Sequence, residues 1–366
     1  MLVAGRLPEM KIPVLLFNVG LWQMSYFVVT IAAVLDYLIG DPWGWPHPVS
    51  CLGYGIAKYT QFILKVFSQP KLRRWAGIIL GMGLVIGTGS MAYIGVRIAS
   101  NIHPLLGFTL ETILLASCFA GRSLRAAAED VLQYLPERSQ NPTEIAQARQ
   151  KLRSYVGRDT ENLSEPEIWR AILETVAENA VDGVTAPLFY ALVGAALPGV
   201  GSLPLAFAYK AASTLDSMVG YKDEPFTDVG WFSAKLEDIL TWLPCRLTVL
   251  TLGIFSGQLN SVWQQCQSDA TKDPSPNSGW SECTYAVILG VQLGGTNYYG
   301  GVAKQKPLLG KPLSQITATT IEQALGLTRS CFLIWLGTAL WCQLYFYPVQ
   351  LLNRAIEMML VRHLTM

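Results

Sequence analysis

Long uncharged stretches alternate with charged ones along this chain, and several of the uncharged ones have the length of a bilayer crossing. Ile12 to Leu35, Trp75 to Val96 and Ser330 to Asn353 contain no Asp, Glu, Lys or Arg. Crossing the hydrocarbon takes about 20 residues, so each is predicted as a membrane helix. Ile102 to Gly121 is a fourth, broken only by Glu111, and an ionisable group at that depth must face protein or water. The pairs Gly77/Gly81 and Gly83/Gly87 repeat the spacing that lets membrane helices approach closely. Gly183 to Tyr209 is also uncharged, but Leu197-Pro198-Gly199-Val200-Gly201-Ser202-Leu203-Pro204 breaks its middle. An unbroken helix would lose backbone hydrogen bonds there, so a re-entrant helical hairpin is expected. Ile239 to Phe255 holds Pro244 and Arg246; it is half-embedded or it crosses, and if it crosses, residues 257 to 328 lie on the opposite side. Arg6 and Lys11 precede the first apolar run, which continues to Leu35 without a small-residue cleavage site, the pattern of an uncleaved first span. The expected fold is an all-α polytopic membrane protein, with one membrane domain over 26–353 and a tail over 354–366.

Composition agrees. Of 366 residues, 51% are hydrophobic and 14% charged, whereas a soluble domain carries roughly a quarter charged residues. Lys+Arg 27 against Asp+Glu 26 leaves a net charge of +1, which provides no field for nucleic acid. Seven cysteines show no C-x-x-C pair and the three histidines are widely spaced, which argues against a zinc site. The loop 40–74 carries Lys58, Lys65, Lys71, Arg73 and Arg74 against the single acid Asp41, placing it in the cytoplasm by the positive-inside rule. Following the spans from there puts 122–182 and 210–238 in the cytoplasm as the segments that carry chemistry. No G-x-x-x-x-G-K-[ST] stretch occurs, so a P-loop is excluded.

The densest polar chemistry begins at Ser164-Glu165-Pro166-Glu167, a capping box with proline in the first turn, and Gly183 is the expected stop. In the helix between, Arg170, Glu174, Glu178 and Asp182 follow at i+4, while Ile168, Ile172, Leu173 and Val176 form another face. Stacked carboxylates repel by a few tenths of a kcal/mol per pair, at the helix end whose dipole is already negative. Either Arg170 pairs with Glu174 and the others are solvated, or the ladder binds Mg²⁺ or an ammonium group with help from Asn179. Lys210 and Asp216, six residues apart, fall on different faces of one helix. Asp223-Glu224-Pro225 is a turn, and Asp228 a helix cap before Trp231. Asp273-Pro-Ser-Pro-Asn277-Ser278-Gly279 is another turn, with Ser278 capping a helix through Ala286 to Leu293; its exposed Asn and Gly also suit contacts to a ligand.

Ala177-Glu178-Asn179-Ala180-Val181-Asp182-Gly183-Val184-Thr185-Ala186-Pro187-Leu188-Phe189 resembles the signature of the cobalamin-biosynthesis membrane proteins named CbiB in some lineages and CobD in others. Upstream, Leu35-Asp36-Tyr37-Leu38-Ile39-Gly40-Asp41-Pro42, His47-Pro48-Val49 and Gly157-Arg158-Asp159-Thr160 extend the resemblance. Downstream come Thr214-Leu215-Asp216-Ser217-Met218-Val219-Gly220-Tyr221, Gly230-Trp231, Asp238, Trp242-Leu243-Pro244, the Asp273 turn and Leu289-Gly290-Val291-Gln292-Leu293-Gly294-Gly295. The matches run in order from about Val28 to Gly310, and the resemblance implies that residues 1–25 are an N-terminal extension beyond the family's usual start.

The resemblance implies adenosylcobinamide-phosphate synthase chemistry: ATP-dependent joining of the side-chain carboxylate of adenosylcobyric acid to the amine of (R)-1-amino-2-propanol O-phosphate, or of aminopropanol itself. A carboxylate must be activated before an amine attacks, with Mg²⁺ and cations neutralising the transferring phosphoryl group. On this reading Glu174, Glu178 and Asp182 are catalytic and metal-binding, and Asp216 or Asp228 takes the proton from the attacking ammonium. Arg158, Lys210, Lys222 and Lys235 are phosphate contacts, and Asn179, Asn277 and Ser278 line the substrate. The implied partners are the corrinoid, the amine, the lipid bilayer and other cobalamin-assembly enzymes. A corrinoid transporter would show paired broken helices in two similar halves, and no such repeat is visible. A non-catalytic membrane sensor would lack the acidic helix, the Asp216 segment or the Asn277 turn.

Overall fold

The computed structural model describes residues 12–40, 47–135 and 141–364, with only the helical backbone at 12–24 and 346–364. Residues 1–11 of the predicted extension, Asp41 and Pro42 lie outside the described residues. In chain order the helices are α1 (Ile12–Leu38), α2 (Pro48–Val66), α3 (Pro70–Ile102), α4 (Pro104–Ala116), α5 (Gly121–Leu132), α6 (Pro142–Leu152), α7 (Glu165–Asn179), α8 (Ala186–Ala196), α9 (Ser202–Val219), α10 (Trp231–Phe255), α11 (Leu259–Asp269), α12 (Ser278–Leu289) and α13 (Ala318–Leu364). Proline opens α2, α3, α4 and α6, where its fixed φ suits the first turn and its missing N–H costs nothing. His47, His103 and Asn141 cap three of these helices by accepting a backbone N–H.

Among the described residues four helical stretches are long and apolar enough to cross a membrane: Pro70–Ile102, Pro104–Leu132, Trp231–Phe255 and Ala318–Tyr345. All four coincide with predicted segments, and α1 covers the fifth. Two large cores organise the described residues, with two smaller clusters around Ile56 and Ile63 that hold α2 against α3 and its neighbours. The first joins α1, α3, α4, α8, α9 and α13 through Val28, Val29, Leu115, Phe119, Leu188 and Leu203, while Ile79, Ile86, Met91, Ile94 and Ile98 of α3 point outward. The second packs α5, α6, α7, α10, α11, α12 and the start of α13 through Leu152, Ile168, Leu173, Cys266, Cys283, Tyr285 and Ile321. The buried cysteines serve as small core hydrophobes.

The predicted capping box is present: Ser164 N–H donates to the Glu167 carboxylate at 2.7 Å. The predicted stop at Gly183 is not. Residues 180–185 widen into a π-helical turn that runs directly into α8. Pro187 has no N–H to offer the Gly183 carbonyl, which accepts instead from Ala120 N–H at 3.0 Å, at the junction of α4 and α5. The break after α8 falls where prolines and glycines cluster, with Gly199 and Gly201 at φ +74° and +89°, a region open to glycine. Across it α8 and α9 pack as a helical hairpin; a side chain at Gly194 would meet the Gly201 carbonyl at 2.3 Å. Glu111 faces protein, as its depth requires. Its Oε1 accepts from Ser202 N–H at 3.0 Å and Ser202 Oγ at 2.8 Å, capping α9, while Arg97 donates to the Gly199 carbonyl at 2.9 Å. Of the two glycine pairs only Gly77/Gly81 lies at a tight contact, against Val229 and Phe232; Gly83 and Gly87 have open space around them.

Two expectations change. The chain is not purely helical, because β1 (Gln292–Tyr299) and β2 (Val302–Gly310) form an antiparallel hairpin. Gly300 and Gly301, at φ +57° and +79°, make its two-residue turn. The helix expected to reach Leu293 therefore ends at Leu289 with Gly290 left-handed at φ +66°. The sequence left the side of residues 257–328 open, and their contacts bear on it. Ser281 of α12 donates to Ala177 O of α7 at 2.5 Å and β1 bonds Arg158 and Arg170, so these segments share one side. α11 and α12 cover one face of α10, while Ile239, Trp242, Leu243, Ile254 and Phe255 stay exposed; the helix continues through Pro244 unbroken. The helical backbone also continues through the predicted tail to Leu364.

Candidate functional site

The ladder on α7 divides in two. Glu174, 1% exposed, sits 2.5 Å from Arg158 Nη2 and accepts Gly294 N–H at 2.8 Å. Arg170 lies 3.9 Å away on its other side, the pairing expected from the i+4 spacing. Arg158 and Arg170 both donate to the Asn297 side-chain oxygen, at 2.9 and 3.1 Å, and Arg170 also bonds the Gly294 and Thr296 carbonyls. A buried carboxylate neutralised by two guanidiniums is an internal lock between α7 and β1, not an open ligand. Gly295 is required there, since its φ is +92° and an added Cβ would stand 2.8 Å from the Arg170 guanidinium. Arg158, 9% exposed, belongs to this lock and not to a phosphate surface.

Glu178 and Asp182 face differently, and neither makes an ion pair among the described residues. Burial raises the Asp182 carboxyl well above its ordinary range; Glu237, Glu178 and Asp216 push it further, against Lys210. Burial, then Asp238 and Glu178, push Asp216 of α9 up to about 6. Its Oδ1 is buried without a hydrogen-bond partner among the described residues. A side chain at Gly220 would stand 1.9 Å from that oxygen, so this glycine keeps the carboxylate's place open. From α10, Glu237 joins a hydrogen-bonded chain through Thr241 to Tyr209, the last link 2.8 Å. Five carboxylates from α7, the π-helical turn, α9 and α10, namely Glu178, Asp182, Asp216, Glu237 and Asp238, thus act on one another.

The remaining predicted residues take varied places. Lys210 acts electrostatically on Asp182. Lys235 pairs with Asp238 at 3.2 Å. Asn179 is exposed and donates to Thr175 O of its own helix at 3.0 Å. Lys222 lies exposed between α9 and α10. Asp228 does not cap α10: Gly230 holds that position without a side-chain bond, and the Asp228 main-chain oxygen accepts Trp231 N–H at 3.4 Å. The Asp273 turn forms as expected, with Asp273 Oδ1 accepting Ser275 N–H at 2.9 Å and Ser275 Oγ accepting the N–H groups of Asn277 and Ser278, each at 3.2 Å. Asn277 is buried rather than exposed, donating to Asp238 O at 2.9 Å. Ser278 is the first residue of α12, after Asn277 at the cap. The turn therefore holds α12 against α10 beside the carboxylates.

Sequence reasoning missed Glu237, Glu282 and Lys306. Glu282, wholly buried in α12, meets Lys306 Nζ of β2 at 3.0 Å. Burial alone would lower Lys306, but Glu282, Glu178 and Glu174 together raise it above its ordinary value. Glu282 is the one charged residue of α12, a signal that marks a buried charge with a partner, whereas Glu237 stands beside Asp238 and Lys235 in α10 and carries no such signal. Among the described residues no three His, Cys, Asp or Glu side chains converge to hold a metal ion, so Glu174, Glu178 and Asp182 do not form a three-ligand site.

A family model described as CobD/CbiB protein matches residues 29–328. A protein named cobalamin biosynthesis protein CobD from Synechocystis sp. is 54% identical over 302 residues, covering 82% of this chain and 87% of that one. Cobalamin biosynthesis protein CbiB from Salmonella arizonae is 41% identical over 308 residues, covering 83% and 93%. Cobalamin biosynthesis protein CobD from Halalkalibacterium halodurans is 40% identical over 304 residues, covering 82% and 90%. No solved structure matches the chain. A family match across most of the length, with relatives this similar end to end, makes the chain a member of the CobD/CbiB family.

Proposed function

We propose that this protein serves cobalamin biosynthesis as a multi-pass ligase of the cell membrane, joining a corrinoid carboxylate to aminopropanol or its phosphate with ATP. The observation that carries this reading is Asp216: a carboxyl raised to about 6, with a buried oxygen unpartnered among the described residues. An amine attacks only when neutral, and a base with a pKa near the working pH is suited to take the ammonium proton. In the proposed sequence the corrinoid carboxylate takes the terminal phosphoryl group of ATP, releasing ADP. The amine nitrogen then bonds the acyl carbon, phosphate leaves, and Asp216 holds the proton. Glu237, beside Asp238 on α10, helps attract the incoming ammonium.

Mg²⁺ is usually held by one or two carboxylates together with phosphate oxygens, and Glu178 and Asp182, oxygen donors on neighbouring turns, fit that role. When bound, the ion would neutralise phosphate charge. The second core, with α6, α7, α11 and α12, is assigned to the cytoplasm on the basic loop 40–74 together with residues 210–238, and the uncharged hairpin over 183–209 to the membrane. The test is to give detergent-solubilised protein adenosylcobyric acid, aminopropanol phosphate, ATP and Mg²⁺, and to look for the amide by mass spectrometry. Product is expected from the wild type, with a large loss in Asp216→Asn. Folded wild-type protein that forms no amide would overturn the reading.

A further inference from the structure

Lys306 stands at the edge of the carboxylate cluster, on a hairpin that nothing in the sequence pattern marked as functional. The Glu282 side chain is 0% exposed and Lys306 25%. Glu282 uses one oxygen on Lys306, and its Oε2 is buried without a hydrogen-bond partner among the described residues. An ammonium has three donors, and one is directed at Glu282. Lys306 pairs with Gly295 in the hairpin register, beside the Arg170 lock, and Ser281, next to Glu282, bonds the carbonyl of Ala177, the residue before Glu178, whose charge acts on Asp182 and Asp216. The other nearby cations have their own partners: Arg158 and Arg170 in the Glu174 lock, Lys235 with Asp238, Lys304 with Asp223, and Lys210 acting on Asp182 within the carboxylate cluster. The site therefore has unequal ends, carboxylates around Asp216 and a partly exposed ammonium at β2. A small ligand with an ammonium at one end and an anion at the other matches that layout.

We propose that Lys306, positioned by Glu282, binds the anionic end of the amine substrate, a phosphomonoester, and so determines which amine the site accepts. This rests on the ligase reading. The phosphate could instead belong to ATP, so the experiment compares KM values for aminopropanol phosphate, free aminopropanol and ATP in the wild type, Lys306→Met, Lys306→Arg and the double variant Glu282→Gln/Lys306→Met. Losing a charge-assisted bond to phosphate should raise KM for aminopropanol phosphate by about tenfold or more. KM for free aminopropanol and for ATP should stay within about twofold, and Lys306→Arg should recover part of the loss. The double variant leaves no unpaired buried charge, so it reports on recognition even if Lys306→Met fails to fold. Equal losses for both amines, a rise confined to ATP, or unchanged discrimination in the folded double variant would overturn the assignment. Wild-type activity that favours the free amine would overturn it while leaving the ligase reading intact; no amide from either amine would defeat both.

Discussion

Replacing Glu174 with alanine separates a structural lock from a metal ligand. The carboxylate is 1% exposed, 2.5 Å from Arg158, and accepts Gly294 N–H at 2.8 Å. Its removal leaves Arg158 buried and uncompensated, and breaking a buried pair in this way costs about 3–5 kcal/mol. In a chain of this size about 1 kcal/mol moves the melting temperature by about 2 °C, so a fall of roughly 6–10 °C is expected in detergent. The assay is a thermal melt followed by tryptophan fluorescence at one scan rate, repeated for Arg158→Ala and for the double variant. The two losses should not add: direct contact predicts a coupling of about 0.5–3 kcal/mol. If Glu174→Ala melts with the wild type while its Mg²⁺ requirement rises steeply, Glu174 is a ligand and the lock is refuted.

Activity should climb as Asp216 loses its proton: with a value of about 6, the basic form grows from about a tenth at pH 5 to about nine tenths at pH 7, and Asp216→Asn should remove that limb of the pH–rate profile. Gly220→Ala puts a methyl 1.9 Å from Asp216 Oδ1, so it should lower kcat by at least about tenfold while the melt shifts by a few degrees; unchanged kcat would show that Asp216 can move without consequence. Glu111→Leu removes the cap of α9, and a loss of about 1–2 kcal/mol is expected, read as a lower melting temperature.

The sequence alone determined the membrane class, most helices and the hairpin break, because those depend on local quantities: uncharged length, proline and glycine placement, and capping side chains. Glu111 shows how far this reaches. Its depth in an apolar run required a protein partner, and only the fold identified that partner as the start of α9. The ladder shows the limit. Glu174, Glu178 and Asp182 share one spacing, yet one is locked by Arg158 from sixteen positions upstream and the others face α9 and α10; periodicity places side chains on a face but says nothing of what meets it. Gly300-Gly301 was a legible hairpin turn that the helical reading passed over, and with it went Lys306. The side on which 257–328 lies was undecidable from hydropathy, since α10 is apolar whether lipid or α12 covers it. Contacts between distant segments, Ser281 to Ala177 and Asn297 to Arg158, decided it, because hydrogen bonds cannot join groups on opposite sides of a bilayer.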